Sequence, residues 1–323
     1  MNIKKILKFS SLSLLILLII VIYNSIYLDI PKNEIISKHA NESSKFLELS
    51  DGSLIHFRDE GNKKGKIILL IHGFNGSLFN YEPMVPFLTD EYRVISIDLP
   101  AHGLTGAVKS DLYSHEGFER VIGEVVKLLG INKFYFVGHS MGGMIAWRYA
   151  LKHLDQLNGL IIIGSPFIAN EEEYRDFQSI NAPPVAFEII ESKFFRRALE
   201  YFTPRLLVKE GISQTVYDQS IITDELIEQF HDIILMEGTR LAIGMLVEDH
   251  EDDFIANPND LKNISIPSLI LHGEEDNLVD IRFVEHFIDQ IPNVRLISYP
   301  NVGHMPPMEI PALLAKDIRG FIN

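Results

Sequence analysis

The stretch FYFVGHSMGGMIAWRYALKHL, residues 134–154, carries the pattern that decides the fold. It opens with the apolar run from Phe134 to Val137, which is typical of a strand buried on both faces. From Met141 onward it is an apolar segment of helical length. Gly-His-Ser-Met-Gly lies between them, with Ser140 at the centre. The stretch therefore predicts a buried strand, a sharp turn at the serine and a helix.

The turn itself matches the pattern G-x-S-x-G, from Gly138 to Gly142. A serine at a strained strand-to-helix turn has its hydroxyl pushed out of the sheet, and the flanking glycines relieve the crowding. The helix that begins at Met141 also points the positive end of its dipole at this turn. We therefore predict that Ser140 is a catalytic nucleophile and that Gly138 and Gly142 form its elbow.

Strands and helices alternate on both sides of the turn. KIILLIHG (66–73), YRVISIDLP (92–100) and LNGLIIIGSP (157–166) are predicted strands, and helical segments separate them. Residues 167–261 are helical in pattern with no obvious buried strand, and the alternation resumes at Pro267. This order predicts an α/β protein with one parallel sheet and an inserted helical cap. We expect a core of residues 31–166 and 262–323 and a lid of residues 167–261.

The segment His72-Gly73-Phe74 ends the first of these strands. Acyl transfer needs backbone N–H donors for the oxyanion that forms on the attacked carbonyl. Met141, directly after the nucleophile, is one candidate donor, and Phe74 in the earlier loop is the other. His72 is interpreted as a structural residue, because it comes too early in the chain to be the usual base of this arrangement.

Two later segments contain a candidate acid and a candidate base. Asp276 ends a predicted strand, where the functional groups of parallel sheets collect. Spacing alone leaves the acid open, since other carboxylates lie close by. These are Glu274, Glu275 and Asp280. His304 follows the last predicted strand, and a histidine there can reach Ser140 as a general base. The chain order of serine, acid and histidine is that of one specific fold.

From about Phe46 to its end, the chain resembles the α/β-hydrolase superfamily. The resemblance rests on five motifs in the expected order: residues 72–74, residues 98–105, the elbow at Ser140, residues 273–276 and residues 303–304. It implies a mostly parallel eight-stranded sheet with helices on both faces and an inserted helical lid. It also implies a triad of Ser140, Asp276 and His304, an oxyanion hole formed by the N–H groups of Phe74 and Met141, and no cofactor or metal.

The implied activity is that of a serine hydrolase. Members of the superfamily that act on haloalkanes or epoxides carry an aspartate at the elbow, so Ser140 argues against both of those activities. We expect a carboxylesterase or lipase that cleaves an ester-like, lipophilic small molecule through an acyl-enzyme intermediate. Acyl transfer and hydrolysis of carbon–carbon bonds use the same triad and stay open. A ligand-binding protein without catalysis is the third alternative.

Composition excludes several other kinds of protein. Lys and Arg total 29 against 44 Asp and Glu, which gives a net charge of −15. Such an excess of acidic residues argues against nucleic acid as a partner, because phosphate binding depends on Lys and Arg. The chain has no cysteine, which excludes disulfides, thiolate nucleophiles and cysteine-ligated metals. Nothing in the composition indicates the oligomeric state.

The first thirty residues have a composition of their own. Three lysines among the first eight residues precede an apolar run from about Phe9 to Leu28. A run of about 20 residues matches a bilayer core of about 30 Å, and the basic flank favours the cytoplasmic side. We therefore predict an N-terminal transmembrane anchor in residues 1–30, with the catalytic domain on the extracytoplasmic side. The alternative is secretion after cleavage of a signal peptide.

Overall fold

One eight-stranded sheet organises the chain in a computed structural model that describes residues 26–180, 201, 203–248 and 254–323. The strands are β1 (Ser44–Glu48), β2 (Leu54–Gly61), β3 (Ile67–Ile71), β4 (Arg93–Ile97), β5 (Phe134–His139), β6 (Leu157–Ile163), β7 (Ser268–Gly273) and β8 (Val294–Tyr299). Their order in the sheet is β1-β2-β4-β3-β5-β6-β7-β8. The pairings from β4 to β8 are parallel, whereas β2 is antiparallel to both of its neighbours. The predicted α/β class with a mostly parallel sheet is confirmed, and the sheet is mixed at the β2 end.

Helices cover both faces of this sheet. They are α1 (Lys32–His39), α2 (His115–Leu128), α3 (Met141–Lys152), α4 (Glu171–Ile180), α5 (Arg205–Thr215), α6 (Asp224–Leu235), α7 (Thr239–Glu248), α8 (Glu285–Gln290), α9 (Pro306–Glu309) and α10 (Pro311–Ile322). Apolar residues of α2 and α3 belong to one hydrophobic cluster, and those of α10 belong to a second cluster.

The central strands are apolar throughout because both of their faces are buried. In β3, Leu69 and Ile71 belong to the cluster with α2 and α3, while Ile68 and Leu70 belong to the cluster with α10. All four side chains are at most 1% exposed. Burying such a side chain contributes about 1.5–3 kcal/mol, so the two clusters together hold the carboxyl ends of the parallel strands in a fixed position.

A helical insertion lies between β6 and β7. It contains α4 to α7, and its described residues form no strand of the main sheet. Helices α5 and α6 pack together through Val208, Ile212 and Ile227. Residues 181–200, 202 and 249–253 of the predicted lid lie outside the described residues. We use the term cap for α4 to α7 and the segments that connect them.

The chain segment before α1 packs on this cap. The N–H of Ile30 donates to the carbonyl of Leu235 at 2.8 Å, and the N–H of Glu237 donates to the carbonyl of Ile30 at 2.9 Å. The carboxylate of Asp29 accepts from the N–H of Gly238 at 3.0 Å and from the guanidinium of Arg240. Residues 26–30, which the sequence analysis assigned to the anchor, are therefore extended backbone bound to the cap.

The structure contradicts the predicted N-terminal transmembrane anchor. Within the residues that the structure describes, no helix combines the length and the apolar character needed to cross a bilayer. The end of the predicted anchor is engaged by backbone hydrogen bonds to the cap instead of continuing a helix. Residues 1–25 of the predicted anchor lie outside the described part of the chain.

A buried carboxylate organises the loop that follows β4. Asp98 accepts hydrogen bonds from Nδ1 of His56 at 2.6 Å, from the N–H of Leu104 at 2.8 Å and from the N–H of Leu78 at 2.7 Å. Burial alone would raise the pKa of Asp98, but His56 and the donated hydrogen bonds outweigh it and lower the pKa. The carboxylate is therefore ionised at neutral pH, and it connects strand β2 with the segments that follow β3 and β4.

We expect Asp98→Asn to destabilise the fold by about 3 kcal/mol at pH 7, because it leaves buried donors without their charged acceptor. Since the folded pKa is lowered, the contribution of Asp98 is present above about pH 4, the value near which an unfolded aspartate titrates, and is lost as the pH falls through the folded pKa. Urea unfolding should show that the difference in the free energy of unfolding between wild type and Asp98→Asn becomes smaller below pH 4.

The control for this measurement is Asp111→Asn. Asp111 forms an exposed ion pair with Arg120 at 3.1 Å, and such pairs contribute about 0–1 kcal/mol. The role given to the ionised carboxylate would be contradicted if wild type and Asp98→Asn differed in the free energy of unfolding by the same amount at pH 7 and at pH 3.

Candidate active site

Ser140 occupies a strained position between β5 and α3. Its backbone angles are φ 51° and ψ −120°, a combination that non-glycine residues rarely adopt. The strain is held in place by hydrogen bonds: its N–H donates to the carbonyl of Ile163 at 2.9 Å, and its carbonyl accepts from the N–H of Gly143 at 2.8 Å. Backbone strain of this kind clusters at functional sites.

The elbow depends on close contact between backbones. A Cβ on Gly142 would overlap the carbonyl oxygen of Ile71, and a Cβ on Gly138 would overlap the carbonyl oxygen of Gly142. The first turn of α3 can therefore approach the ends of β3 and β5 only because both positions lack a side chain. This packing holds Ser140 at the carboxyl edge of the sheet.

The loop after β3 lies directly beside the serine. A Cβ placed on Gly73 would be 2.9 Å from Cβ of Ser140, so the next residue, Phe74, begins at the edge of the site. The ring of Phe74 packs edge-on against His102, with ring centroids 5.8 Å apart. The loop that contains Phe74, one candidate oxyanion donor, thus lies beside Ser140, and Met141, the other candidate, follows Ser140 directly in the chain.

His72 holds the loop after β3 through hydrogen bonds at both of its ring nitrogens. Its Nδ1–H donates to the carbonyl of Gly73 at 2.7 Å, and its Nε2 accepts from the N–H of Leu99 at 3.0 Å. Burial lowers the pKa of His72, which keeps the ring neutral and able to accept at Nε2. Both ring nitrogens are bound to backbone groups, as a structural histidine requires.

The candidate base and one of the four candidate acids are in contact. Nδ1–H of His304 donates to Oδ2 of Asp276 at 2.7 Å, and both side chains are buried. The other three carboxylates have other partners. Glu274 binds Ser298, Glu275 accepts from the N–H of Val302, and Asp280 accepts from the N–H of Arg282. Of the four candidate acids, Asp276 is thus the one that forms a hydrogen bond with His304.

The environment of Asp276 keeps its carboxylate charged. Burial would raise the pKa, but the attraction and hydrogen bond of His304 and the backbone donors lower it overall. Those donors are the N–H groups of Leu278 and Val279, which bind Oδ1 at 2.8 and 2.9 Å. An ionised carboxylate only accepts hydrogen bonds, so Nδ1 of His304 carries the proton and Nε2 is left as the basic nitrogen.

Gly164 links this pair to the serine. It follows Ile163, whose carbonyl binds the N–H of Ser140, and a Cβ on Gly164 would lie 3.3 Å from Oδ2 of Asp276 and 3.5 Å from Nδ1 of His304. Within the described residues, Ser140 Oγ and His304 form no hydrogen bond, a contact that is often loose before substrate binds. The structure thus places the three residues of the predicted triad at one edge of the sheet.

His139 is a contact of the site that the sequence analysis did not single out. Its Nε2–H donates to the carbonyl of His304 at 2.7 Å, and the two rings are 4.8 Å apart. Burial, together with the nearby His304, lowers the pKa of His139 to about 3, so its ring is neutral. Its position in G-x-S-x-G was visible, but its partner is 165 residues away in sequence, so no local pattern could indicate the contact.

Among the described residues, no group of three or more His, Asp or Glu side chains is placed to hold a metal ion.

Comparison with known proteins agrees with this fold. A family model described as the alpha/beta hydrolase fold matches residues 66–183. The chain has the α/β-hydrolase fold. One similar protein is the uncharacterized hydrolase YugF of Bacillus subtilis strain 168, which is 26% identical over 84% of this chain and 96% of the relative.

Two further similar proteins have named activities. The bifunctional esterase/perhydrolase DCH of Acinetobacter calcoaceticus is 24% identical over 86% of this chain and 99% of its own length. The crystal structure of a variant of the meta-cleavage product hydrolase CumD superposes with a TM-score of 0.73, at 22% identity, and covers 87% of this chain and 98% of the other. The superposition shows the shared fold.

We predict that His139 makes the folded protein less stable in acid. An unfolded histidine takes up a proton below about pH 6.5, whereas folded His139 stays neutral to about pH 3. Stability is therefore lost as the pH falls between these values, by about 1.4 kcal/mol per pH unit for this residue. Urea unfolding between pH 6 and pH 4 should show that the free energy of unfolding changes less steeply with pH in His139→Gln than in wild type, by this amount per pH unit.

Ser140→Ala is the control for that slope, because it leaves every histidine in place and should match wild type. Equal slopes in His139→Gln and wild type would show that His139 is protonated in the folded protein.

Proposed function

We propose that this α/β-hydrolase is a serine hydrolase that cleaves a carboxylic ester through an acyl-enzyme intermediate. The observation that carries the proposal is the buried 2.7 Å hydrogen bond between His304 and Asp276, next to a serine held in a strained strand-to-helix turn. An imidazole whose Nδ1–H donates to a carboxylate, close to a serine hydroxyl that its Nε2 can reach, is the arrangement that activates a serine for attack on a carbonyl.

In the first step, Nε2 of His304 takes the proton of Ser140 Oγ as the oxygen attacks the carbonyl carbon of the ester. Asp276 stabilises the imidazolium that results. The negative charge that develops on the carbonyl oxygen is bound by the N–H groups of Phe74 and Met141, which is the role that the resemblance assigns to them. Each such donor is worth about 10²–10³ in rate.

In the second step, His304 gives its proton to the leaving alkoxide, the carbon–oxygen bond breaks, and the alcohol departs from the acylated Ser140. Water then attacks the acyl group and His304 takes a proton from that water. His304 returns the proton to Ser140 Oγ as the bond between Oγ and the acyl carbon breaks, which releases the carboxylic acid and the free serine. The cycle consumes one water and returns each residue to its starting state, so it requires no cofactor.

Charge supports an uncharged substrate. The net charge of −15 disfavours the approach of anions and leaves neutral esters unaffected. The relative from Acinetobacter calcoaceticus is named as an esterase/perhydrolase, which supports the same class of bond. We therefore favour an uncharged ester, in keeping with a carboxylesterase or lipase activity.

Hydrolysis of a carbon–carbon bond is the second candidate. It uses the same attack on a carbonyl and is supported by the likeness to a protein named as a meta-cleavage product hydrolase. The two candidates differ in the leaving group, an alkoxide in one and a carbanion in the other, and both routes pass through acylated Ser140. Transfer of the acyl group to an alcohol instead of water would begin with the same intermediate.

We expect Ser140→Ala to lower ester hydrolysis by about 10³-fold or more, because the nucleophile is lost. The full chain and its variant would be assayed with p-nitrophenyl esters of two to twelve acyl carbons and labelled with a fluorophosphonate. The label should form on Ser140, and the acyl length of the best ester would measure the acyl pocket.

Two further arms separate the alternatives. A meta-cleavage product that is consumed while the esters are not would move the assignment to the carbon–carbon hydrolase, and alkyl ester formation in added alcohol would indicate acyl transfer. A folded protein that forms no adduct at Ser140 and turns over none of these substrates would refute the proposed function.

The role of Asp276 has a matched control in the neighbouring carboxylate. Asp276→Asn should lower kcat by about 10³–10⁴-fold, because the amide favours the wrong tautomer of His304. Glu275→Gln should retain most of the activity, since Glu275 binds the N–H of Val302 and not His304. Steady-state kinetics on the best ester would show the difference, and equal losses in the two variants would contradict the assignment of the acid.

A further inference from the structure

Glu309 ends the short helix α9 and turns its carboxylate back over the loop that carries His304. Oε1 accepts from the N–H of Gly303 at 3.0 Å and from the N–H of Met305 at 3.2 Å. These are the two residues on either side of His304. Hydrogen bonds from N–H groups to a charged carboxylate are about twice as strong as neutral ones, so Glu309 holds the loop firmly on both sides of the candidate base.

The same carboxylate also binds the cap. Oε2 accepts from the N–H of Tyr217 at 2.7 Å and from the N–H of Asp218 at 3.1 Å. Both residues belong to the segment that follows α5. One half-buried side chain therefore receives hydrogen bonds from two parts of the chain that are about 90 residues apart in sequence.

The backbone of His304 completes this junction. Its N–H donates to the carbonyl of Thr215 at 2.7 Å, at the end of α5, and its carbonyl accepts from Nε2–H of His139. A Cβ on Gly303 would lie 2.7 Å from the backbone nitrogen of Tyr217, so the cap meets the loop backbone against backbone. The base is thus bound to the cap on one side and to the nucleophile elbow on the other.

We propose that Glu309 is a positioning residue that fastens the His304 loop to cap residues 215–218, so that the base is aligned with Ser140 only while this cap segment is docked. The inference rests on the proposed function, because alignment of His304 matters only if that residue transfers protons. It adds a coupling between the cap and the base that the triad alone does not contain.

The coupling follows from how the loop is held. Without the carboxylate, four backbone N–H groups lose their acceptor, and two of them flank His304. The hydrogen bond from the N–H of His304 to the carbonyl of Thr215 then remains as a link between the loop and cap residues 215–218. A displacement of about 1 Å in a catalytic group can cost about 10²-fold in rate, so loosening the loop should lower kcat more than it raises KM.

The test compares Glu309→Gln and Glu309→Asp with a matched control, Glu124→Gln, in the full chain. The Glu124 carboxylate also accepts hydrogen bonds from the backbone N–H and the hydroxyl of Ser50. This contact joins α2 to the turn before β2. The measurements are kcat and KM on the best ester, the melting temperature and the hydrogen exchange of individual amides.

We expect kcat to fall about 10- to 100-fold in Glu309→Gln while KM changes by less than about threefold. Amide exchange should accelerate at Gly303, Met305, Tyr217 and Asp218. Glu309→Asp keeps the charge on a shorter side chain and should lose less activity than Glu309→Gln. Glu124→Gln should match wild type in kcat and in exchange at these four amides.

Two results would overturn the inference. If exchange accelerates at the four amides and kcat keeps its wild-type value in both variants, Glu309 is structural only. If exchange at these amides is unchanged, the carboxylate does not hold the junction. Failure of the proposed function is a separate result, because it would appear in the wild type as the absence of a Ser140 adduct and of turnover.

Discussion

The backbone conformation of Ser140 is the constraint on which the site depends. At φ 51° and ψ −120° the residue is unfavourable by itself, and it persists because its surroundings over-determine it. Gly138 and Gly142 let α3 approach the strand ends, and the buried strands on both sides fix those ends in space. Packing of the sheet core therefore also determines the conformation of Ser140, because a shift of β3 or β5 would release the turn.

Burial by itself raises the pKa of a carboxyl group and lowers that of an imidazole. The hydrogen-bond partners of each group decide the pKa that results. Asp276 and Asp98 are both buried, yet each keeps a lowered pKa because histidine and backbone donors surround it. His139 and His102 are buried with backbone carbonyls as acceptors, and the pKa of each falls to about 3. The edge of the sheet thus holds the charged carboxylates of Asp276 and Asp98 beside the neutral imidazoles of His139 and His102.

The cap is part of this arrangement. The segment from Tyr27 to Ile30 binds it from one side through backbone hydrogen bonds, and Glu309 binds it from the side of the His304 loop. Lids of this kind commonly complete a catalytic constellation when they close. In this protein the hydrogen bond between His304 and Thr215 connects the cap directly to the candidate base.

The sequence by itself determined the fold class, the elbow at Ser140 and the order of the motifs, because buried parallel strands and strand-to-helix turns leave local patterns in apolar spacing and glycine placement. It could not choose Asp276 among four nearby carboxylates without the resemblance. It also could not show that residues 26–30 bind the cap, or that His139 and Glu309 hold the loop of His304. Those contacts join segments up to 213 residues apart, as between Tyr27 and Arg240. Only the tertiary structure decided them, because hydrogen bonds between residues distant in sequence leave no periodicity in the chain.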